Sequence, residues 1–462
     1  MNSRPDLSTS PRAVWRLVWP QTVMMYTLVI MTMTPVWTAG QLGADVQAAL
    51  GMATQCSLFL SVVCMALSSG ATAAVTQSLG ALRVRRAGRY IATTVILSFA
   101  LGLVMGAAGY AFAAPILSLL QVPERIQPLS AEIWKIFMLG LPFQYVYNAT
   151  GVVFRATRQV ITPLVVSITI TLAHAVVCVG TAFGLGCFPR WGYLGIAWAG
   201  VAASVLGCAL NCLLLWRSGH LSARDLPTPR WLRRGLPYLV RVAVPAGFAS
   251  LVWQSGYLVL FVLVASVPRE SVAALAGLTA GLRIESFLFM PGMAFNMTAA
   301  ILVGNCLGAG ERAEARRVSR NLLFIAVAIM SLVGLAMWPF RAELAALLSQ
   351  DEATCRHIVS YLTYNLLSTP FSIASTVLGG VMVGAGATRF NLMVFGGSFW
   401  GLRIPMGWLL GHRLWGEASG VFCAMLVSQV IQTTAMLLVF FRLDWTRFAM
   451  RANVRRRAGE SG

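Results

Sequence analysis

The chain has 462 residues, 58% of them hydrophobic and 11% charged, with a mean hydropathy of +0.74. A soluble fold cannot hide that much apolar surface in its interior, so the solvent for most side chains is lipid. The formal net charge of +20 would suit nucleic acid, but the basic residues cluster between apolar runs in the pattern of membrane topology, and no nucleic-acid partner is expected.

An apolar run of roughly 20 residues crosses a hydrocarbon core of about 30 Å as a helix. Such runs occur at 13–38, 46–78, 88–113, 129–152, 160–184, 192–216, 235–264, 272–307, 319–340, 355–382, 391–411 and 416–441. They predict an all-α membrane protein with twelve transmembrane helices. The first run is too long for a secretory signal and is interrupted by Pro20, so it reads as a retained span. The second and eighth are overlong and should tilt or protrude.

Counting Lys and Arg by alternate connections gives 25 on one side and six on the other. The richer side holds Arg4, Arg12 and Arg16, four arginines from Arg83 to Arg89, Arg155 and Arg158, five between Trp216 and Gly235, four from Arg312 to Arg320, Arg389, and six from Arg442 onward. The poorer side holds Arg125, Arg190, Arg269, Arg341, Arg356 and Arg413. This asymmetry predicts a multi-pass protein of the cytoplasmic (inner) membrane with both termini in the cytoplasm.

The chain repeats itself. Leu79-Gly80-Ala81 and its trailing arginines return as Leu307-Gly308-Ala309 before Arg312, Arg316, Arg317 and Arg320; Pro142-Phe143 returns as Pro370-Phe371. Each half has six spans, an even number, so the repeats enter the membrane from the same side and are parallel. The expected organisation is a six-helix lobe over 1–216, a cytoplasmic linker over 217–235 containing Arg224, Asp225, Pro227 and Pro229, a second lobe over 236–441, and a basic tail over 442–462.

Two parallel lobes in one membrane chain point to a transporter with its path between them. Lys135 is the only lysine and no Gly-Lys-Ser/Thr surrounds it, so the polypeptide has no Walker A loop. HExxH, GxSxG and paired-carboxylate constellations are also missing, and neither an enzyme nor a metal or cofactor site is expected. The nine cysteines form no CxxC pair and read as small apolar residues; Cys187 and Cys355 fall on the predicted outer side, where a disulfide is open to them.

Charges inside spans are costly and mark function. Glu285 is the one acid placed well inside a span, on a helical face with Phe289, Gly292 and Asn296. It is either a proton-carrying or cation-facing group, or half of a structural ion pair with Arg403 or Arg283. The fifth run carries Ser167, Thr171, His174, Cys178 and Thr181 on one stripe; His174 is either a titratable group on a cavity or a cross-helix hydrogen-bonding residue. Gln21, Tyr26 and Trp37 in the first span and Trp253, Gln254 and Tyr257 in the seventh supply stacking faces and polar groups for a substrate cavity; Trp37 also suits an outer aromatic belt.

The chain resembles the multidrug and toxic compound extrusion (MATE) transporters over nearly its whole length. The resemblance is carried by Gly70-Ala71-Thr72-Ala73-Ala74 with Gln77-Ser78-Leu79-Gly80-Ala81, by Phe154-Arg155-Ala156-Thr157-Arg158 with Thr162-Pro163, and by Gly192-Tyr193-Leu194-Gly195-Ile196-Ala197. Second-half counterparts are Val303-Gly304-Asn305-Cys306-Leu307-Gly308-Ala309-Gly310, Val383-Gly384-Ala385-Gly386-Ala387-Thr388-Arg389 and Gly416-Glu417-Ala418-Ser419-Gly420. It implies a two-lobed exporter, acting as a monomer, that exchanges small cationic or neutral amphipathic organic substrates for H⁺ or Na⁺ by alternating access. The family's common first-span acid aligns with Pro35, its fifth-span Asn and Asp with His174 and Cys178, and further acids with Trp253 or Gln254 and Ser372. A sodium site prefers hard oxygen ligands with a carboxylate among them, so coupling to H⁺ through Glu285, with His174 as a second candidate, is the expectation. A lipid-linked oligosaccharide flippase of the same superfamily and a non-transporting receptor or scaffold are the alternatives.

Overall fold

The computed structural model describes residues 11–119, 123–219, 221 and 225–450; the readings that involve Arg4, Arg224 and the tail beyond Met450 lie outside them. In chain order the helices are α1 (Pro11–Leu42), α2 (Ala44–Gly80), α3 (Val84–Ala111), α4 (Ala113–Leu119), α5 (Gln127–Ala156), α6 (Ile161–Phe183), α7 (Tyr193–Arg217) and α8 (Pro229–Ala265). They continue with α9 (Ser271–Gly308), α10 (Arg312–Met337), α11 (Arg341–Leu348), α12 (Glu352–Ala385), α13 (Thr388–Ser398), α14 (Ile404–Trp408) and α15 (Ala418–Arg442). No strand occurs among the described residues.

Among the described residues, ten helices are long and apolar enough to cross a membrane. The other two expected spans correspond to α5 and to the rod from Thr388 to Leu414. That rod is not the single helix expected: α13 and α14 alternate with π-helical turns at Phe399–Arg403 and Leu409–Leu414. The short α4 and α11 were not anticipated, being too brief to show an apolar period. From Pro229 on, the stretch read as a linker is already the start of α8; its charged turns are helical because proline at the first position fits a helix start.

The chain divides into two compact units. One comprises Trp19–Ala71 and Arg85–Ala243. Its α6 stops at Gly184 in the left-handed conformation, with φ of 72°, as a helix C-cap commonly requires. The buried Tyr145 of α5 donates its hydroxyl to the Leu60 carbonyl of α2.

The other unit comprises the described parts of Met1–Val18, Thr72–Val84 and Val244–Gly462. Its α12 opens on Asp351, whose carboxylate accepts from the Thr354 N–H at 2.8 Å and the Thr354 hydroxyl at 2.6 Å. Those bonds hold the exposed Asp351 carboxyl below the usual carboxylate range. The repeated Leu-Gly-Ala segments meet within this unit. A Cβ at Gly80 would overlap the Asn305 carbonyl, and one at Gly308 would overlap the Gln77 carbonyl. The crossing is reciprocal, so both halves keep glycine at the position where two backbones touch. Gln77 then bonds outward, donating to the Gly384 carbonyl at 2.7 Å and accepting the Met450 N–H at 2.8 Å.

Candidate functional site

The long α9 packs against α12, and the face that does so is the one carrying Glu285. Small residues bring the helices together: a Cβ at Gly292 would strike Ile373. Asn296, four residues on, donates to the Thr376 carbonyl of α12 at 2.6 Å. Asn296, expected in the cavity, is therefore a clamp between two helices, because its amide finds a backbone acceptor in that close contact.

Near Glu285 the two helices part. A small open cleft, with a cavity volume of about 20 Å³, is lined by Glu285, Leu288, Phe289, Asn365, Ser368, Thr369, Ser372 and Ile373. Glu285 is half-buried, and the fully buried Tyr361 donates its hydroxyl to Glu285 Oε2. Phe289 shares the cleft wall with the carboxylate. On α12, Tyr361, Asn365, Ser368 and Ser372 recur at steps of four, three and four, with Thr369 four residues after Asn365, and so share one face of the helix. Apart from Ser372, that polar series was readable in the sequence and escaped notice because no charge sits in it.

The direct ion pair offered as one alternative for Glu285 does not form: no salt bridge joins it to Arg403 or Arg283 among the described residues. Arg283 is exposed. Arg403 is buried at the end of the first π-helical turn. Its Nε donates to Ser428 Oγ at 2.9 Å and its Nη2 to Gln429 Oε1 at 2.9 Å. Gln429 and Gln432 both donate to Ser375 Oγ, at 2.9 and 3.2 Å. The π turn shifts the side-chain register of the rod by a residue and aims Arg403 at α15.

Tyr257 lies beside this group, its ring 5.5 Å from Phe399 and 5.0 Å from Trp253. Trp253 itself is exposed and Gln254 half-buried.

The first unit holds the other candidates. The α6 stripe is buried throughout, from Ser167 to Thr181, and it faces α1. Ser167 shares a hydrogen bond of 2.7 Å with Thr27, and Cys178 Sγ donates to Thr38 Oγ1 at 3.7 Å. Both pairs span 140 positions, so α1 and α6 run side by side in register, and the same offset sets His174 level with Thr34. His174 Nδ1 is buried with no hydrogen-bond partner in the structure. Gln21 is fully buried, Tyr26 half-buried and Trp37 exposed, its ring edge-on to Phe183 at 6.5 Å. Gln21 and Trp37 stand roughly 24 Å apart along the helix at 1.5 Å per residue, so they do not share one locus. Cys187 and Cys355 are free thiols, and no group of metal-ligating side chains occurs among the described residues.

The family model MatE matches residues 20–179 and 245–409. A probable multidrug resistance protein of Bacillus subtilis, YoeA, is 24% identical over 82% of this chain and 82% of its own length. A FAD transporter of Shewanella oneidensis is 23% identical over 80% and 81%. Among solved structures, the Vibrio cholerae MATE transporter VcmN superposes with a TM-score of 0.86 at 20% identity, covering 93% of this chain and 95% of that one. A MOP superfamily transporter from Pyrococcus furiosus, described as having a binding pocket of reversed polarity, gives 0.85 at 16% identity over 97% and 98%.

Proposed function

Because the chain belongs to the MatE family of membrane transporters, we propose that it is a proton-coupled antiporter expelling cationic or neutral amphipathic organic compounds across the cytoplasmic membrane. In this reading both termini are cytoplasmic, the lobes 1–216 and 236–441 alternate access around one monomer, and no enzyme chemistry is involved.

One observation carries the coupling assignment. Among the described acids, Glu285 alone lies more than two turns inside a long helix, and it opens on a cleft with an aromatic wall and four hydroxyl or amide groups. A half-buried carboxylate beside an apolar face can exchange a proton for an organic cation, since each ligand neutralises the same charge. His174 is read as a neutral member of the α1–α6 seam. The cleft wall carries a carboxylate and no arginine, which supports cations over phosphorylated cargo such as a flavin nucleotide or a lipid-linked oligosaccharide.

The test is transport of a cationic dye in proteoliposomes under separately imposed gradients. A pH gradient alone should drive dye movement and a sodium gradient alone should not. Sodium-driven transport in the absence of a pH gradient would replace the proton in this assignment, and protein-partner binding without transport of any compound in a broad panel would favour a receptor or scaffold.

A further inference from the structure

Beyond α15 the chain turns back across the end of its own bundle. After Arg442 it leaves the helix, makes a single 3₁₀ turn over Trp445–Phe448 and runs on to Met450. Its side chains pin it there. Asp444 lies 3.9 Å from Arg312 and 3.6 Å from Arg316 in the first turns of α10, and it accepts the Thr446 hydroxyl at 2.5 Å. Trp445 is fully buried, stacked on Phe440 and donating its indole N–H to the Phe440 carbonyl at 3.1 Å. Phe448 packs edge-on to Phe390 of α13 at 5.6 Å. A terminal segment frays unless it is tied down, and these contacts make this one a built element. From that anchorage the Met450 N–H donates to Gln77 Oε1 at 2.8 Å, while Nε2 of the same amide donates to the Gly384 carbonyl at 2.7 Å. Gln77 is buried at the reciprocal crossing of α2 and α9, where a Cβ at Gly304 would overlap Thr76 Oγ1 and one at Gly308 would overlap the Gln77 carbonyl. All of these residues belong to one compact unit, yet the anchor comes from the second half of the sequence and the captured residue from the first.

We propose that residues 443–450 are a latch on the α2–α9 crossing: fixed to the second half of the chain, they hold Gln77 and favour the state in which this end of the bundle is shut. The inference rests on the alternating-access reading, in which Gln77 moves with the lobe 1–216 and α9 with the lobe 236–441, so that the crossing parts whenever this end opens. Backbones that touch at glycine attract through dispersion, which fades with separation. The Gln77 amide adds two directional bonds, one to α12 and one to the tail, that a separation breaks. One hydrogen bond from the tail is weak enough to yield in each cycle and strong enough to bias the resting population.

Met450→Pro is the narrowest lesion. It deletes the donor N–H, and Ala449, at φ −59° and ψ 153°, already has the extended conformation required before proline. The full chain, with its nine cysteines replaced by alanine and Thr76→Cys added as a reporter, is placed in proteoliposomes, and the rate of labelling by N-ethylmaleimide reads how often the crossing opens. M450P should raise that rate by about fivefold, the worth of one hydrogen bond. Asp444→Ala, which removes two half-exposed ion pairs from the anchor, should raise it by about twofold. Gln77→Leu should label at least as fast as M450P, and M450P added to Q77L should change nothing more, since both act through one contact. Equal labelling of the parent chain, M450P and D444A would overturn the latch, as would a further rise when M450P is added to Q77L. If M450P does not accumulate in the membrane, the rise in D444A still decides. Absence of labelling in every variant would instead defeat the reading that this crossing opens, which separates the two failures.

Discussion

Two helical stripes of small polar residues, one on α6 and one on α12, look alike in sequence and do different things. On α6, Ser167 and Cys178 meet Thr27 and Thr38 of α1 at a constant offset, so the stripe is a closed seam. On α12, Tyr361, Asn365, Ser368, Thr369 and Ser372 meet α9 where that helix presents Glu285 and Phe289, and the seam opens into a cleft. The difference lies in the opposing helix. Hydroxyls facing hydroxyls satisfy each other across a tight interface, whereas a carboxylate and a phenyl ring cannot fill the same space without leaving room between the helices.

The comparison breaks most readily at Glu285. Glu285→Gln keeps the size and removes the charge, and it should lower pH-driven dye transport by about tenfold or more if this carboxylate carries the proton; measured efflux near the wild-type rate would show that the α12 cleft is no more functional than the α6 seam. Next in size is Tyr361→Phe, which deletes the one hydroxyl bonded to Glu285 Oε2. Loss of a hydrogen bond to a charged group should shift the pH of half-maximal transport upward by about one unit, read from the same assay.

On the α6 side the expected effects are smaller. His174→Asn should leave the transport pH profile unchanged and the rate within about twofold, because a residue sealed in a seam titrates out of contact with substrate; a displaced profile would make His174 a second coupling group. A double-mutant cycle between Thr27→Val and Ser167→Ala should report a coupling of about 0.6 kcal/mol in thermal or denaturant unfolding, the usual size for a hydrogen bond between membrane helices. The smallest effect concerns the cap of α12. The lowered Asp351 carboxyl contributes stability that is fully present above its unfolded value and is lost as pH falls through its folded one. Hydrogen exchange at Thr354 should therefore quicken below about pH 4, and Asp351→Asn should show no such acid step.

Much of the architecture was legible in the sequence. Hydrophobic runs and arginine placement announced the spans, since lipid imposes a crude and nearly one-dimensional constraint. The Leu-Gly-Ala repeat was visible as a pattern, but its use as a reciprocal backbone crossing at Gly80 and Gly308 needed coordinates. The π turns before and after Ile404–Trp408 were hidden, because insertion of one residue per turn leaves no compositional mark. At the site, Glu285 stood out by cost alone. Asn296 was placed on the face that meets α12, but its bond to the Thr376 carbonyl was invisible to any reading of α9 by itself. The partners of Arg403 were missed for the same reason: Ser428 and Gln429 are ordinary residues until the fold brings a buried guanidinium to them.

The claim that one carboxylate serves both proton and substrate is tested most directly by counting protons. Titrating a cationic dye into the purified protein in unbuffered detergent solution near the pH of half-maximal transport should release up to about one proton per dye bound, through linkage at Glu285. The Glu285→Gln protein should bind more weakly and release none. Undiminished proton release from Glu285→Gln would contradict the account and move the exchange to another group.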